Sequence, residues 1–171
     1  FELFDKYGYR DILDNLYKLA QEGRVEFTSS AKYHALLPFL NEQEIVRQIS
    51  LNNETLKKYL GEDYKPKGFF APEMAYDSKI APIIEKMGFE WIILDEISCG
   101  GEVGKIDYSK IYKIKDTKLK VFFRDRRLSN LIMSAVVRSS ETLLNALGDD
   151  INQDKYIVTA MDIETFGHHR P

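Results

Sequence analysis

The sequence predicts an α/β fold built on a parallel sheet or barrel. Three observations carry this. Short apolar runs alternate along the chain with stretches whose apolar residues recur at helical spacing. Glycine or proline closes most of these segments. Carboxylates, histidines and an arginine follow directly on several apolar runs, and the carboxyl ends of parallel strands are where α/β proteins bind ligands.

Residues Tyr9 to Gln21 place Tyr9, Ile12, Leu13, Leu16 and Ala20 on one helical face, with Gly23 as the stop. Val25 to Thr28 reads as a short strand. Asn41 before Glu42 and Glu44 is an N-cap with an acidic first turn, opening a long helix through Leu60, expected to be broken. Gly68 to Ala71 is a strand stopped by Pro72. Asp77 or Ser78 caps a helix through Lys86, closed by Gly88, and Trp91 to Leu94 is the next strand. Cys99 to Asp116 is glycine-rich and charged, without periodicity until Ile111 to Ile114. Val121 to Phe123 is a strand, Leu128 to Val137 a helix, and Ser139 to Leu147 a further helix with a serine cap and Gly148 as its end. Tyr156 to Met161 reads as a buried parallel strand. With 171 residues, no internal repeat and no long linker, one domain suffices.

Composition narrows the function. A net charge of −3 gives no electrostatic reason to expect nucleic acid. No apolar run approaches the roughly 20 residues that span a bilayer, so no membrane segment is expected. The single cysteine, Cys99, removes an internal disulfide framework and a cysteine-rich zinc site, and leans towards a reducing, cytoplasmic setting. The chain starts at Phe1 without a methionine and stops just after its most polar motif, as expected of a piece of a longer protein truncated at both ends. Oligomeric state is not legible.

The chemistry gathers at strand ends. The last motif, Asp162-Ile163-Glu164-Thr165-Phe166-Gly167-His168-His169, would be costly in a core unless paired, and its plain alternative is a solvated loop. Glu73 follows two phenylalanines and a proline, so its carboxylate is expected to be partly desolvated; the alternative is a helix N-terminal glutamate favoured by the dipole. Asp162 could equally be an ordinary N-cap. One acid from each of two strand ends is the pair that glycoside hydrolysis requires, with retention of configuration when the carboxyls stand about 5–5.5 Å apart. Glu26 is either a sugar-hydroxyl acceptor or an outward position in an alternating strand. His34 could reach substrate or be a core histidine. Arg124 and Asp125 are expected to pair with each other. Phe70, Tyr76 and Phe166 are candidates for stacking on a sugar, although most aromatics read as core. Asn53-Glu54-Thr55 fits a glycosylation sequon but lies in the long helix.

Three motifs in order, Arg24 to Pro38 (RVEFTSSAKYHALLP), Phe70 to Ala75 (FAPEMA) and Asp162 to His169 (DIETFGHH), resemble glycoside hydrolase family 57. Phe123-Arg124-Asp125 with Leu128-Ser129-Asn130 is similar to the segment between that family's third and fourth motifs. The resemblance spans nearly the whole chain. It implies a fragment of an incomplete (β/α)7 barrel, a single catalytic domain acting on α-glucan (starch, glycogen or maltooligosaccharide) as an α-amylase, 4-α-glucanotransferase, amylopullulanase or branching enzyme. By position it implies Glu73 as nucleophile and Asp162 as general acid/base. Glu26, His34, Glu164, His168 and His169 would bind or support the sugar. No cofactor or metal is implied. The DxETFGHH form resembles the amylase-type branch. The family's histidine-rich first motif, its fifth motif and its helical C-terminal region are missing, so the fragment alone is expected to be inactive. Two alternatives stand beside this reading. One is a metal-dependent polysaccharide deacetylase, with water activated by a metal on an aspartate and two histidines, for which His34, His168 and His169 are a thin ligand set. The other is a non-catalytic glucan-binding domain.

Overall fold

A computed structural model of the chain describes residues 1–62 and 64–168. It contains helices α1 (Glu2–Lys6), α2 (Arg10–Gln21) and α3 (Glu42–Leu60), strand β1 (Gly68–Phe70), helix α4 (Ile80–Lys86) and strands β2 (Trp91–Asp95), β3 (Tyr112–Lys113) and β4 (Lys120–Arg124). Helices α5 (Arg126–Met133) and α6 (Ser140–Leu147) follow. The described strands form one mostly parallel sheet in the order β1-β2-β4-β3. β1 runs parallel to β2, with Gly68 opposite Trp91 and Phe70 opposite Ile93. β3 and β4 are joined by a tight turn in which Ile114 N–H donates to Leu119 O at 3.0 Å, as only antiparallel neighbours permit. The chain divides into two compact units, one of residues 1–93 with 113–120, the other of residues 94–112 with the chain from 121 onward.

In the first unit α3 is the scaffold. Asn41 caps it by accepting from Glu44 N–H at 2.9 Å, and the helix runs unbroken to Leu60. Ile45, Ile49, Leu56 and Leu60 are buried on its inner face, and Phe69, Ile80, Ile84 and Ile92 supply buried apolar side chains from β1, α4 and β2. Each such side chain contributes about 1.5–3 kcal/mol on burial. α2, with Leu13 buried, packs on α3, as does α4.

Val25 to Thr28 is not a strand. Phe27 instead packs against the Leu56–Leu60–Tyr64 cluster, and Thr28 O accepts from the Tyr64 hydroxyl at 3.3 Å. Ser29 alone makes the parallel bridge to Phe69, donating to Gly68 O and accepting from Phe70 N–H, both at 2.9 Å.

In the second unit Val121, Phe123, Leu94, Ile106 and Leu128 are buried. The Tyr156 ring meets Tyr108 and Phe122 edge-on, with centroids 5.6 and 5.8 Å away. Asp125 does not pair with Arg124. It caps α5, accepting from Leu128 N–H at 2.8 Å, which is why that helix starts at Arg126, two residues earlier than its apolar face suggests. Ser139 and Thr142 close a reciprocal capping box on α6. Tyr156 to Met161 is likewise not a buried strand. It contributes one parallel bridge, Val158 to Arg124, and Ala160 is its buried residue. The ladder stops there because α5 begins as soon as β4 ends. No described helix is long and apolar enough to cross a membrane.

Candidate active site

The loop after Ser29 is tied to α3, and this places His34. Ser29 Oγ donates to Asn53 Oδ1 at 2.5 Å, so the sequon asparagine has a packing role. Lys32 Nζ reaches Thr55 Oγ1 and Glu2 Oε2, each at 2.6 Å. Lys32 N–H donates to Gln48 O at 3.1 Å, and Tyr33 N–H to Gln48 Oε1 at 3.1 Å. Gln48 is itself buried. Its Nε2 donates to Glu44 Oε1 at 2.8 Å, and a buried amide with both ends bonded is a rigid support.

Glu73 arrives from the other side. β1 ends at Phe70, Pro72 opens a single 3₁₀ turn over Pro72–Met74, and Met74 N–H donates to Ala71 O at 2.8 Å. His34 Nε2 then lies 2.9 Å from Glu73 Oε1. Against an ionised carboxylate, which only accepts, Nε2 is the protonated nitrogen. The expected desolvation is absent: the side chains of His34 and Glu73 are 65% and 61% exposed, and of the two phenylalanines before Glu73 only Phe69 is fully buried.

Backbone strain marks the same spot. His34, Glu73 and Met74 have φ of 53°, 57° and 50°, left-handed values that cost an L-residue roughly 1–2 kcal/mol each. Strain of this kind concentrates at functional sites, where surrounding structure holds it for the sake of an aimed side chain. Both partners of one hydrogen bond carry it here.

In the second unit the last motif follows the Val158 bridge. Asp162 is exposed and precedes a 3₁₀ turn over Ile163–Thr165, whose buried Thr165 N–H donates to Asp162 O at 3.1 Å. The Asp162 side chain does not cap that turn, so the ordinary N-cap alternative fails. Glu164 and His168 are exposed on the same stretch. His169 lies outside the described residues.

Among the described residues, Glu26 makes no hydrogen bond or ion pair to His34 or Glu73. It stands exposed between the half-buried Val25 and Phe27, the outward alternation considered from sequence. It lines a cleft of about 390 Å³ with Phe27, Leu60, Tyr64 and Lys67. Among the described residues, no three His, Cys, Asp or Glu side chains form a metal-binding group.

The role of Arg124 is not legible in the sequence. Its guanidinium is buried at the end of β4. Nη1 donates to Ala160 O at 3.1 Å and Nη2 to Asn130 Oδ1 at 3.3 Å. Nε approaches Asp95 Oδ2 at 3.2 Å, an ion-pair contact without hydrogen-bond alignment. Asp95 also takes Arg126 Nη1 at 3.0 Å. The Tyr108 hydroxyl donates to Arg124 O at 3.0 Å; burial, with Glu96 and Asp125 nearby, pushes that phenol up and keeps it a donor.

The model of glycosyl hydrolase family 57 matches residues 1–171. The chain belongs to glycosyl hydrolase family 57. It is 29% identical to a 1,4-alpha-glucan branching enzyme of Thermococcus kodakarensis, over 73% of this chain and 22% of that one. It is 24% identical to alpha-amylase 1 of Dictyoglomus thermophilum, over 94% and 23%. The chain thus spans about a quarter of the length of these family 57 relatives. The crystal structure of a 4-alpha-glucanotransferase from Thermococcus litoralis aligns with a TM-score of 0.70 at 24% identity, covering 92% of this chain and 24% of that one. The alpha-amylase AmyC from Thermotoga maritima aligns at 0.72 and 16% identity, covering 98% and 47%. Both likenesses concern the fold.

Proposed function

We propose that residues 1–171 are part of one catalytic domain, an incomplete (β/α)7 barrel, in a retaining enzyme that acts on α-glucan. The observation that carries the reading is Glu73, held left-handed beyond β1 and bonded to His34, in a chain the family model matches from end to end. His34 occupies Oε1 and orients the carboxylate, so Oε2 attacks the anomeric carbon. Asp162 protonates the leaving glycosidic oxygen, and a covalent glycosyl ester forms on Glu73. Asp162, now ionised, deprotonates water or an acceptor sugar hydroxyl, which displaces Glu73 with net retention. Glu164 and His168 border the sugar, with His169 in the same motif. Glu26 accepts from a sugar hydroxyl and takes no part in the bond-making steps. The similar proteins include an amylase, a branching enzyme and a glucanotransferase, so hydrolysis and transfer are variants of one chemistry, divided by water's access to the acceptor position.

The test is Glu73→Ala in the full-length protein. The expected loss of hydrolysis and transfer on α-glucan is at least 10³-fold, because a retaining enzyme has no route without its nucleophile. Activity near the wild-type rate would refute the assignment.

A further inference from the structure

The buried guanidinium of Arg124 has no need to be charged for stability alone. Taking an ion pair out of water costs several kcal/mol per ion, and an apolar pair of similar volume often serves a core as well or better. What the charge provides here is a fixed set of donors, held by Asn130 and Asp95 on two sides and turned to the Ala160 peptide on the third. Ala160 O accepts from Arg124 Nη1 at 3.1 Å, and Ala160 N–H donates to Ser129 Oγ at 3.2 Å. Ser129 is fully buried and in turn donates to Asp125 O at 2.7 Å. Two residues upstream, Val158 O accepts from Asp125 N–H at 2.7 Å. The segment that fails to form a strand is therefore held by one backbone bridge at Val158 and, at Ala160, by side chains of the β4–α5 junction.

Asp162 lies two residues beyond that anchored peptide, within about 7 Å of chain. Its next fixed point is the buried Thr165. Between these anchors its exposed carboxylate has no capping bond to set its direction. We propose that Arg124 and Ser129, with Asp95 bracing the guanidinium, are positioning residues for Asp162: they fix the Ala160 peptide and so aim the acid/base. This rests on the reading of Asp162 given above.

A positioning role for the acid/base predicts a dependence on the leaving group. Natural α-glucan needs its leaving oxygen protonated by Asp162. An α-glycosyl fluoride needs almost no such help: the C–F bond breaks, Glu73 Oε2 bonds to C1, and fluoride departs as the anion. In the full-length enzyme, Arg124→Met is expected to lower kcat on α-glucan about 100-fold, the scale of an ångström-sized misplacement. Ser129→Ala, which removes a single hydroxyl, is expected to lower it about 10-fold. KM should stay within about twofold in both. The burst of fluoride release, about one equivalent per enzyme, should keep its wild-type rate within about threefold, since the acid is not required in that step. Asp162→Asn should show the same signature more strongly. Ser129→Ala carries the whole prediction if Arg124→Met does not fold, as judged by circular dichroism. Wild-type kcat on α-glucan in folded variants overturns the positioning role. So does a fluoride burst that slows as much as glucan turnover, which would mark a general structural loss. An Asp162→Asn enzyme with wild-type glucan turnover would overturn the parent reading of Asp162 instead.

Discussion

β1 delivers Glu73 to the site, and its seating depends on the absence of one carbon. Gly68 lies opposite Trp91 in the β1–β2 register. A Cβ at position 68 would stand 2.2 Å from Cη2 and from Cζ2 of the indole and 2.6 Å from Cε2. Carbon atoms in contact prefer about 3.5–4.0 Å, so strand or ring must give by more than an ångström. Overpacking of this kind costs about 1–3 kcal/mol. Gly68→Ala is thus expected to destabilise by about 2 kcal/mol, or roughly 4–8 °C in Tm for a chain of this size. Trp91 is the sole tryptophan, and Trp91→Ala removes every clashing atom. In that background Gly68→Ala should cost nothing, or stabilise by about 0.5 kcal/mol through lost chain entropy in the unfolded state. Urea unfolding of the four proteins, followed by circular dichroism, gives the coupling energy directly. An equal cost for Gly68→Ala with and without Trp91 would show that the indole is not what excludes a side chain at position 68.

Other perturbations test separate parts. Asn41→Ala removes the side-chain acceptor that caps α3 and is expected to cost about 1 kcal/mol in denaturant unfolding. Glu73→Gly should be about 1 kcal/mol more stable than Glu73→Ala, since both lose the carboxylate while only glycine relieves a φ of 57°; thermal unfolding of the pair decides it. Hydrogen bonds from Arg47 and Gln48 lower the Glu44 carboxyl from 4.5 to about 2. Its contribution to stability is therefore complete above pH 4.5 and lost as pH falls towards 2, and Glu44→Gln should flatten the stability profile in that window. His34→Ala in the full-length enzyme should lower kcat/KM on α-glucan about 10- to 100-fold, since it frees the nucleophile's orientation.

Helices were the most legible part of the fold, because capping and periodicity are local. The Asn41 cap, the Ser139 cap and the Gly88 and Gly148 stops all stand where residue chemistry puts them. Two strands misled, for a shared reason. Val25 to Thr28 and Tyr156 to Met161 have strand composition, but side chains from elsewhere take backbone positions a ladder would use: Tyr64 at Thr28 O, Ser129 and Arg124 at Ala160. Nothing within either run announces such a partner. At the site, Glu73 and His34 stood out by type and position. Their direct contact did not, since it depends on left-handed backbone at three non-glycine residues, which composition disfavours. Arg124 beside Asp125 suggests a neighbour pair, yet Arg124 ends β4 while Asp125 already caps the next helix. The counter-ion of Arg124, Asp95, ends a different strand, and burial on both made the pairing invisible in a linear reading.

In the proposed reaction Glu73 becomes covalently bound to sugar. Asp162→Ala in the full-length protein, incubated with an α-maltosyl fluoride, should accumulate the glycosyl ester, because its formation no longer needs an acid while its breakdown still needs a base. Mass spectrometry of the digested protein measures it. A single maltosyl adduct on the peptide containing Glu73 is the expected result. An adduct on any other carboxylate, or turnover of the fluoride with inversion and no adduct, would contradict it.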